Sequence, residues 1–246
     1  RLGIKGIPGS AEEIMVARDI SLAELTGGRL HLAHISTAGS LELIRQAKEK
    51  HLNVTCEVTP HHLTLSDESV LGLHDTSSAF DPLTTMAYDT NAKVNPPLRS
   101  SSDVQAMVQG LGDGTIDVIA TDHAPHNIVD KLCSFDEAAY GISGFETALG
   151  SLMSLVHAGN IELPLLVYKL TAAPAQFLGM EDLGSLAEGS PADLTIFNPD
   201  TEWLVDTSEF ASKGKNTPLD GNTLKGQVMA TIVNGHVKYK AVNFDN

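Results

Sequence analysis

The arrangement that most restricts this chain is a repeated alternation of helix and strand, each strand ending in polar residues able to do chemistry. Helical periodicity over residues 11–26 gives way to an apolar strand at 29–35. A helix over 41–51 precedes a strand at 54–59. A third helix over 102–111 leads through Gly112-Asp-Gly114 to a strand at 116–121. Ser10 and Glu13 form a capping box for the first helix, and Gly27-Gly28 stops it. Leu41, Ile44, Ala47 and Lys48 recur at helical spacing in the second. Alternation of this kind dictates parallel strands with helices outside, an α/β fold whose strand ends share one edge.

Between the second strand and the third helix, residues 66–91 are polar with little periodicity, the mark of a functional lid or insertion. A short segment at 92–99 then returns to the interior as a brief strand until its prolines stop it. Helices follow over 145–158 and 164–178, the latter containing Pro174. After Gly179 the pattern turns to β: a run ending at Phe197, a strand at 202–205, and a hairpin over 227–239 around Asn234-Gly235. The expected division is an α/β domain over residues 1–182 and a small β subdomain over 183–246.

Composition narrows the partners. A net charge of −15 argues against nucleic acid or an anionic membrane, which need clustered Lys and Arg. No apolar run approaches the roughly 20 residues that span a bilayer. Cys56 and Cys133 are the only cysteines and form no CxxC pair, so a reducing cytoplasm is the expected setting.

The strand ends carry the chemistry. His34 closes the first strand, His61-His62 follow the second, Asn95 lies in the short segment, and Asp122 and His126 follow the last. In a parallel sheet these meet on one face. Imidazole and carboxylate without thiolate suit zinc or a similar divalent ion in hydrolysis, with Asp122 as proton carrier. Taken alone, Asp122 reads more simply as a cap for the next helix, with its neighbouring histidines solvated. His31 and His34 should face opposite ways on a strand, which favours His34 alone for the site. His61-His62 read more simply as turn packing and His123 as structural. His51, His74, His157 and His236 read as surface or helix-end residues, and Cys133 as an inert thiol.

Four motifs carry a specific resemblance: His34-Ile-Ser-Thr37, Glu57-Val-Thr-Pro-His-His-Leu63, Lys93-Val-Asn-Pro-Pro-Leu-Arg99 and Thr121-Asp-His-Ala-Pro-His126. Together they resemble the dihydroorotases of the amidohydrolase superfamily, class I or multifunctional type. Tyr140-Gly-Ile-Ser-Gly-Phe-Glu-Thr147 and Ser212-Lys-Gly-Lys-Asn-Thr-Pro218 extend the likeness over most of the chain. The resemblance implies a (β/α)8 TIM-like barrel with a two-zinc centre and a composite β subdomain. It implies a small-molecule substrate: the reversible cyclisation of N-carbamoyl-L-aspartate to dihydroorotate in pyrimidine biosynthesis. By motif position, His34 would ligate the second zinc, and Asp122 would ligate the first and act as general acid/base. Asn95 and His126 would hold the substrate, with backbone at Tyr140 and Gly141 closing over it.

The family's His-x-His has no counterpart, because no two of the ten histidines are two residues apart. The expectation is a C-terminal portion of such an enzyme, its barrel incomplete, with further zinc ligands upstream of Arg1. Alone it should bind zinc weakly, lack turnover, and self-associate through open strand edges as a homo-oligomer. A related hydantoinase or allantoinase, or a non-catalytic scaffold subunit of the same fold, are the alternatives.

Overall fold

The computed structural model describes residues 3–72, 87–180, 182–242 and 244. Its first half alternates as expected: α1 (Gly9–Thr26), β1 (Leu30–Leu32), α2 (Ala38–Glu49), β2 (Val54–Val58), α3 (Pro60–Thr64), α4 (Ser101–Gly112) and β3 (Val118–Ile119). The strands form a parallel sheet in the order β1-β2-β3, with Leu30 opposite Val54 and Glu57 opposite Val118. Ile44, Cys56, Val58, Leu63, Met107, Leu111 and Ile116 are buried in one core where α2, α3 and α4 meet the sheet.

Several expected boundaries move for identifiable reasons. The Ser10–Glu13 capping box does not form: α1 begins earlier, at Gly9, with Pro8 at its N-cap and no side-chain cap. Strand β1 is three residues long, not seven, because the chain leaves the ladder before His34, whose backbone is left-handed (φ 54). The helix expected at 41–51 starts at Ala38, where the Thr37 side chain accepts from the Ser40 amide. The segment at 92–99 is no strand. It opens with a 3-10 turn over Thr90–Ala92 and contains a cis Asn95-Pro96 bond. Of the polar stretch expected as a lid, residues 73–86 lie outside the described residues.

Beyond β3 come α5 (Ile128–Lys131), α6 (Ala148–His157), α7 (Leu163–Leu170) and α8 (Ala172–Phe177). The single helix expected over 164–178 is therefore two, broken at Thr171 (φ −130, ψ −81). Pro174 explains the break: it has no N–H for the Leu170 carbonyl, and its ring crowds that oxygen. Strands β4 (Leu194–Leu204), β5 (Thr223–Val233) and β6 (His236–Lys240) form a second, antiparallel sheet. The two strands expected at its start are one, with its register interrupted between Asn198 and Glu202. Asn234 and Gly235 turn the last hairpin, both with positive φ, as that turn requires. This sheet sits on α6 through glycines. A Cβ on Gly226 would lie 2.6 Å from Met153 Cγ, and one on Gly150 would lie 3.1 Å from Leu224 Cβ.

Candidate active site

At the C-terminal edge of the parallel sheet, β1 delivers His34 and β3 delivers Asp122. Their backbones, φ 54 and φ 47, are both left-handed, a costly conformation for non-glycine residues that turns each side chain sharply off its strand. Nε2 of His34 stands 3.8 Å from Oδ1 of Asp122. Behind them, the β2 residue Glu57 places Oε1 at 2.8 Å from His34 Nδ1, bent off the ring's N–H axis, and Oε2 at 3.1 Å from His31 Nε2. His31 also shares a 2.8 Å hydrogen bond with Thr55.

The expectation that His31 and His34 point to opposite faces is thus wrong. Strand alternation ends at Leu32, and the left-handed turn brings both rings to one carboxylate. Glu57 orients His34 as an outer carboxylate orients a metal-binding histidine, leaving Nε2 facing Asp122. The close 2.8 Å contact with the Glu57 carboxylate, with the charge of Asp122, raises the His34 pKa against the opposing effect of burial. Burial pushes the Glu57 carboxyl up, but hydrogen bonds from His34 and His31 outweigh it and hold the pKa low. Asp122 moves the other way. Its own burial raises its pKa, Glu57 adds to the rise, and His34 opposes it.

One imidazole nitrogen and one carboxylate oxygen are donors zinc accepts, and at 3.8 Å they are close enough to belong to one metal centre. A catalytic zinc takes about three protein ligands. Among the described residues no group of three or more His, Cys, Asp or Glu is placed to hold a metal. The pair therefore fits zinc in chemistry and falls short, by itself, of a full ligand set.

The other expected site residues meet through backbone. His126 Nε2 hydrogen-bonds the Tyr140 carbonyl at 2.8 Å, and the Gly141 amide donates to Lys93 O at 2.9 Å, two residues before Asn95. Gly141 (φ 143) admits no side chain, since a Cβ would lie 2.6 Å from Ala124 Cβ and 3.0 Å from His126 Nε2. Asn95 is exposed, and its segment joins the cluster by way of Lys93.

Sequence reasoning missed the residue that binds this cluster together. The buried amide of Asn216 accepts from the His126 amide (2.8 Å) and from Ser143 Oγ (2.9 Å), and donates to the carbonyls of Ala124 and Gly141 (3.0 Å each). Its only sequence signal is membership of the 212–218 motif. Glu57 belongs to the 57–63 motif, and its signal is a carboxylate within a largely apolar strand.

Three remaining expectations are resolved by geometry. His62 is buried, bonded to Thr59 Oγ1 (2.8 Å) and the Pro96 carbonyl (3.0 Å), and burial takes its pKa down to about 4. His61 is buried too, with its pKa well below normal and Nε2 unpartnered among the described residues. His123 stacks on Phe145 at 3.8 Å and accepts from the Gly144 amide, a structural placement. Arg99 is turned inward: its guanidinium reaches Ile7 O, Ser36 Oγ and the Glu12 carboxylate, tying the His34 loop to α1. His51, His157 and His236 are exposed, and His74 lies outside the described residues.

Parallel strands that aim a histidine and an aspartate across one sheet edge are an arrangement of metal-assisted hydrolases. Residues 6–238 match the amidohydrolase family, and the chain belongs to it. Among curated relatives, it is 54% identical over 237 residues to the dihydroorotase of Pelotomaculum thermopropionicum, covering 96% of this chain and 52% of that protein. Against the dihydroorotase of a Thermoanaerobacter species it is 51% identical over 240 residues, covering 97% and 52%. The L-hydantoinase (dihydropyrimidinase) structure from Arthrobacter aurescens superposes with a TM-score of 0.84 at 30% identity, covering 95% of this chain and 49% of that one. The chain spans about half the length of the curated relatives it matches.

Proposed function

We propose that this chain carries part of the active site of a zinc-dependent dihydroorotase. The reaction is reversible closure of N-carbamoyl-L-aspartate to (S)-dihydroorotate in pyrimidine biosynthesis. The observation that carries the reading is the His34–Asp122 pair, backed by Glu57 and set on strand ends of a family member whose curated relatives include dihydroorotases. On this reading residues 1–182 are part of a (β/α)8 barrel, supported by the parallel β1-β2-β3 sheet, and residues 183–246 are the small β subdomain.

His34 Nε2 and Asp122 would hold zinc, which when bound supplies Lewis acidity at the amide carbonyl and an acidified water. Asp122 has the second task. A carboxyl whose pKa is raised by burial is suited to take a proton from the attacking water and return it to the departing amide nitrogen. His126 spends Nε2 on Tyr140 O, so Nδ1 is the atom left to meet substrate, alongside the Asn95 amide. The Gly141 backbone, with no side chain to intrude, closes the rim.

The free thiols Cys56 and Cys133 fit a reducing cytoplasm. Among the described residues no helix is long and apolar enough to cross a membrane. The Arthrobacter aurescens superposition favours one second reading, a hydantoinase. A non-catalytic scaffold fits less well, since His34 and Asp122 are both present and converge.

Zinc-dependent hydrolysis of dihydroorotate by the full-length polypeptide tests the proposal. Turnover of hydantoin or allantoin in its place would transfer the assignment to those amidases. The 246-residue chain alone is expected to show no turnover; robust activity from it would contradict the partial-site reading.

A further inference from the structure

Lys131 is a buried ammonium, 4% exposed, at the end of α5. Among the described residues it donates hydrogen bonds to three carbonyls: Ala139 at 2.7 Å, Thr90 at 3.0 Å and Lys93 at 3.3 Å. Two further bonds fasten its own turn to the same segments. Thr90 Oγ1 donates to Lys131 O at 2.6 Å, and the Ala139 amide donates to Asp130 O at 3.0 Å.

The positions of those carbonyls matter. Ala139 immediately precedes Tyr140. Lys93 is two residues before Asn95, and its carbonyl also accepts the Gly141 amide. One ammonium therefore joins the Asn95 segment to the Tyr140–Gly141 segment. No neutral side chain supplies three donors from one atom, and the guanidinium fork of arginine is planar rather than a tripod. Burying a cation without a bonded carboxylate is costly, so a lysine here indicates a structural demand for the three-way tie.

We propose that Lys131 is a positioning residue for substrate binding, whose ammonium fixes the separation between the Asn95 segment and the Tyr140–Gly141 rim. This rests on the substrate contacts assigned above. Deprotonation removes one of the three donors, loosening the tie. Burial brings the pKa down to about 8, with Asp89 opposing the shift and Lys93 reinforcing it, while Cys133 also faces the group. The rim thus loosens in mildly alkaline solution.

Two measurements separate this inference from the reading of function. In the unmodified chain, NMR should show the carbonyl carbons of Lys93 and Ala139 moving together with a midpoint near 8. Flat shifts over about pH 7 to 10 would overturn the proposal. In Lys131→Met, exchange of the Gly141 amide should accelerate about tenfold, the factor for losing one charge-assisted hydrogen bond. Lys131→Arg should behave like Met, and wild-type protection in the arginine variant would show that charge alone suffices. In the full-length polypeptide, Lys131→Met should raise KM for dihydroorotate about tenfold with kcat within about twofold, the pattern of lost uniform binding. A fall in kcat at constant KM would overturn the inference. If the wild type fails to turn over dihydroorotate, the functional reading falls, and the Gly141 exchange still decides the role of Lys131.

Discussion

Nε2 of His34 and Oδ1 of Asp122 face each other across 3.8 Å, each on a left-handed residue at the end of its strand. Asparagine tolerates that backbone and keeps the shape of aspartate while losing its charge and its basicity. Asp122→Asn in the full-length polypeptide should therefore abolish turnover. Unfolding free energy should change by no more than about 1 kcal/mol, because a half-buried carboxylate is exchanged for a neutral isostere. Steady-state assay and urea unfolding of one preparation check both halves; near-normal activity would remove Asp122 from the chemistry.

Glu57 makes a distinct forecast, because it acts through the ring it holds. Glu57→Gln removes the carboxylate that raises the His34 pKa, so that pKa should fall in an NMR titration. Zinc affinity should drop about 10- to 100-fold, the range for lost outer partners of a metal-binding histidine. A zinc titration with a competing chelator reads this without any turnover. An unmoved His34 pKa would show that the contact is incidental.

Asn216→Ala strands four hydrogen-bonding partners at once: the His126 amide, Ser143 Oγ, and the carbonyls of Ala124 and Gly141. With buried unpaired polar groups costing about 1–3 kcal/mol each and water recovering some of them, a net loss of about 3 kcal/mol is expected. Denaturant unfolding measures it, and hydrogen exchange should localise the loosening to residues 124–126 and 141–143.

His62 contributes, beside the equally buried His61, to the acid limb of stability. Its folded pKa, about 4, lies below its ordinary value of 6.5, so between those values the unfolded chain binds a proton the folded chain refuses. Stability from this group is complete above about pH 6.5 and falls as pH drops toward 4, by roughly 3 kcal/mol in all. Urea unfolding at stepped pH should show that slope, and His62→Gln should make it shallower, with the part due to His61 remaining.

How legible the fold was depended on whether a signal was local. The parallel β/α alternation could be read because the alternate buried residues of β2 (Val54, Cys56, Val58) and the apolar stripe of α2 write themselves into residue spacing. Asp122 and His34 could be read because they sit at strand ends. Residues whose partners are remote in sequence left no such trace: the Glu57 bond to His34 crosses 23 positions, and Asn216 reaches back to residues 124 and 126. The failed Ser10–Glu13 box shows the converse, a valid local pattern overridden when Glu12 and Glu13 turn toward the His34–Gly39 loop.

The Asn216 clamp also dictates an order of events during synthesis. A nascent chain can align β1, β2 and β3 once residue 119 has left the ribosome, yet the rim around His126 and Gly141 is unfastened until residue 216 emerges. At about 5–20 residues per second, that interval lasts about 5 to 20 seconds. For that time the polypeptide displays its candidate metal-binding pair on an open, unlatched ledge. A stalled or truncated chain ending before residue 216 would hold a formed sheet and an unfinished site.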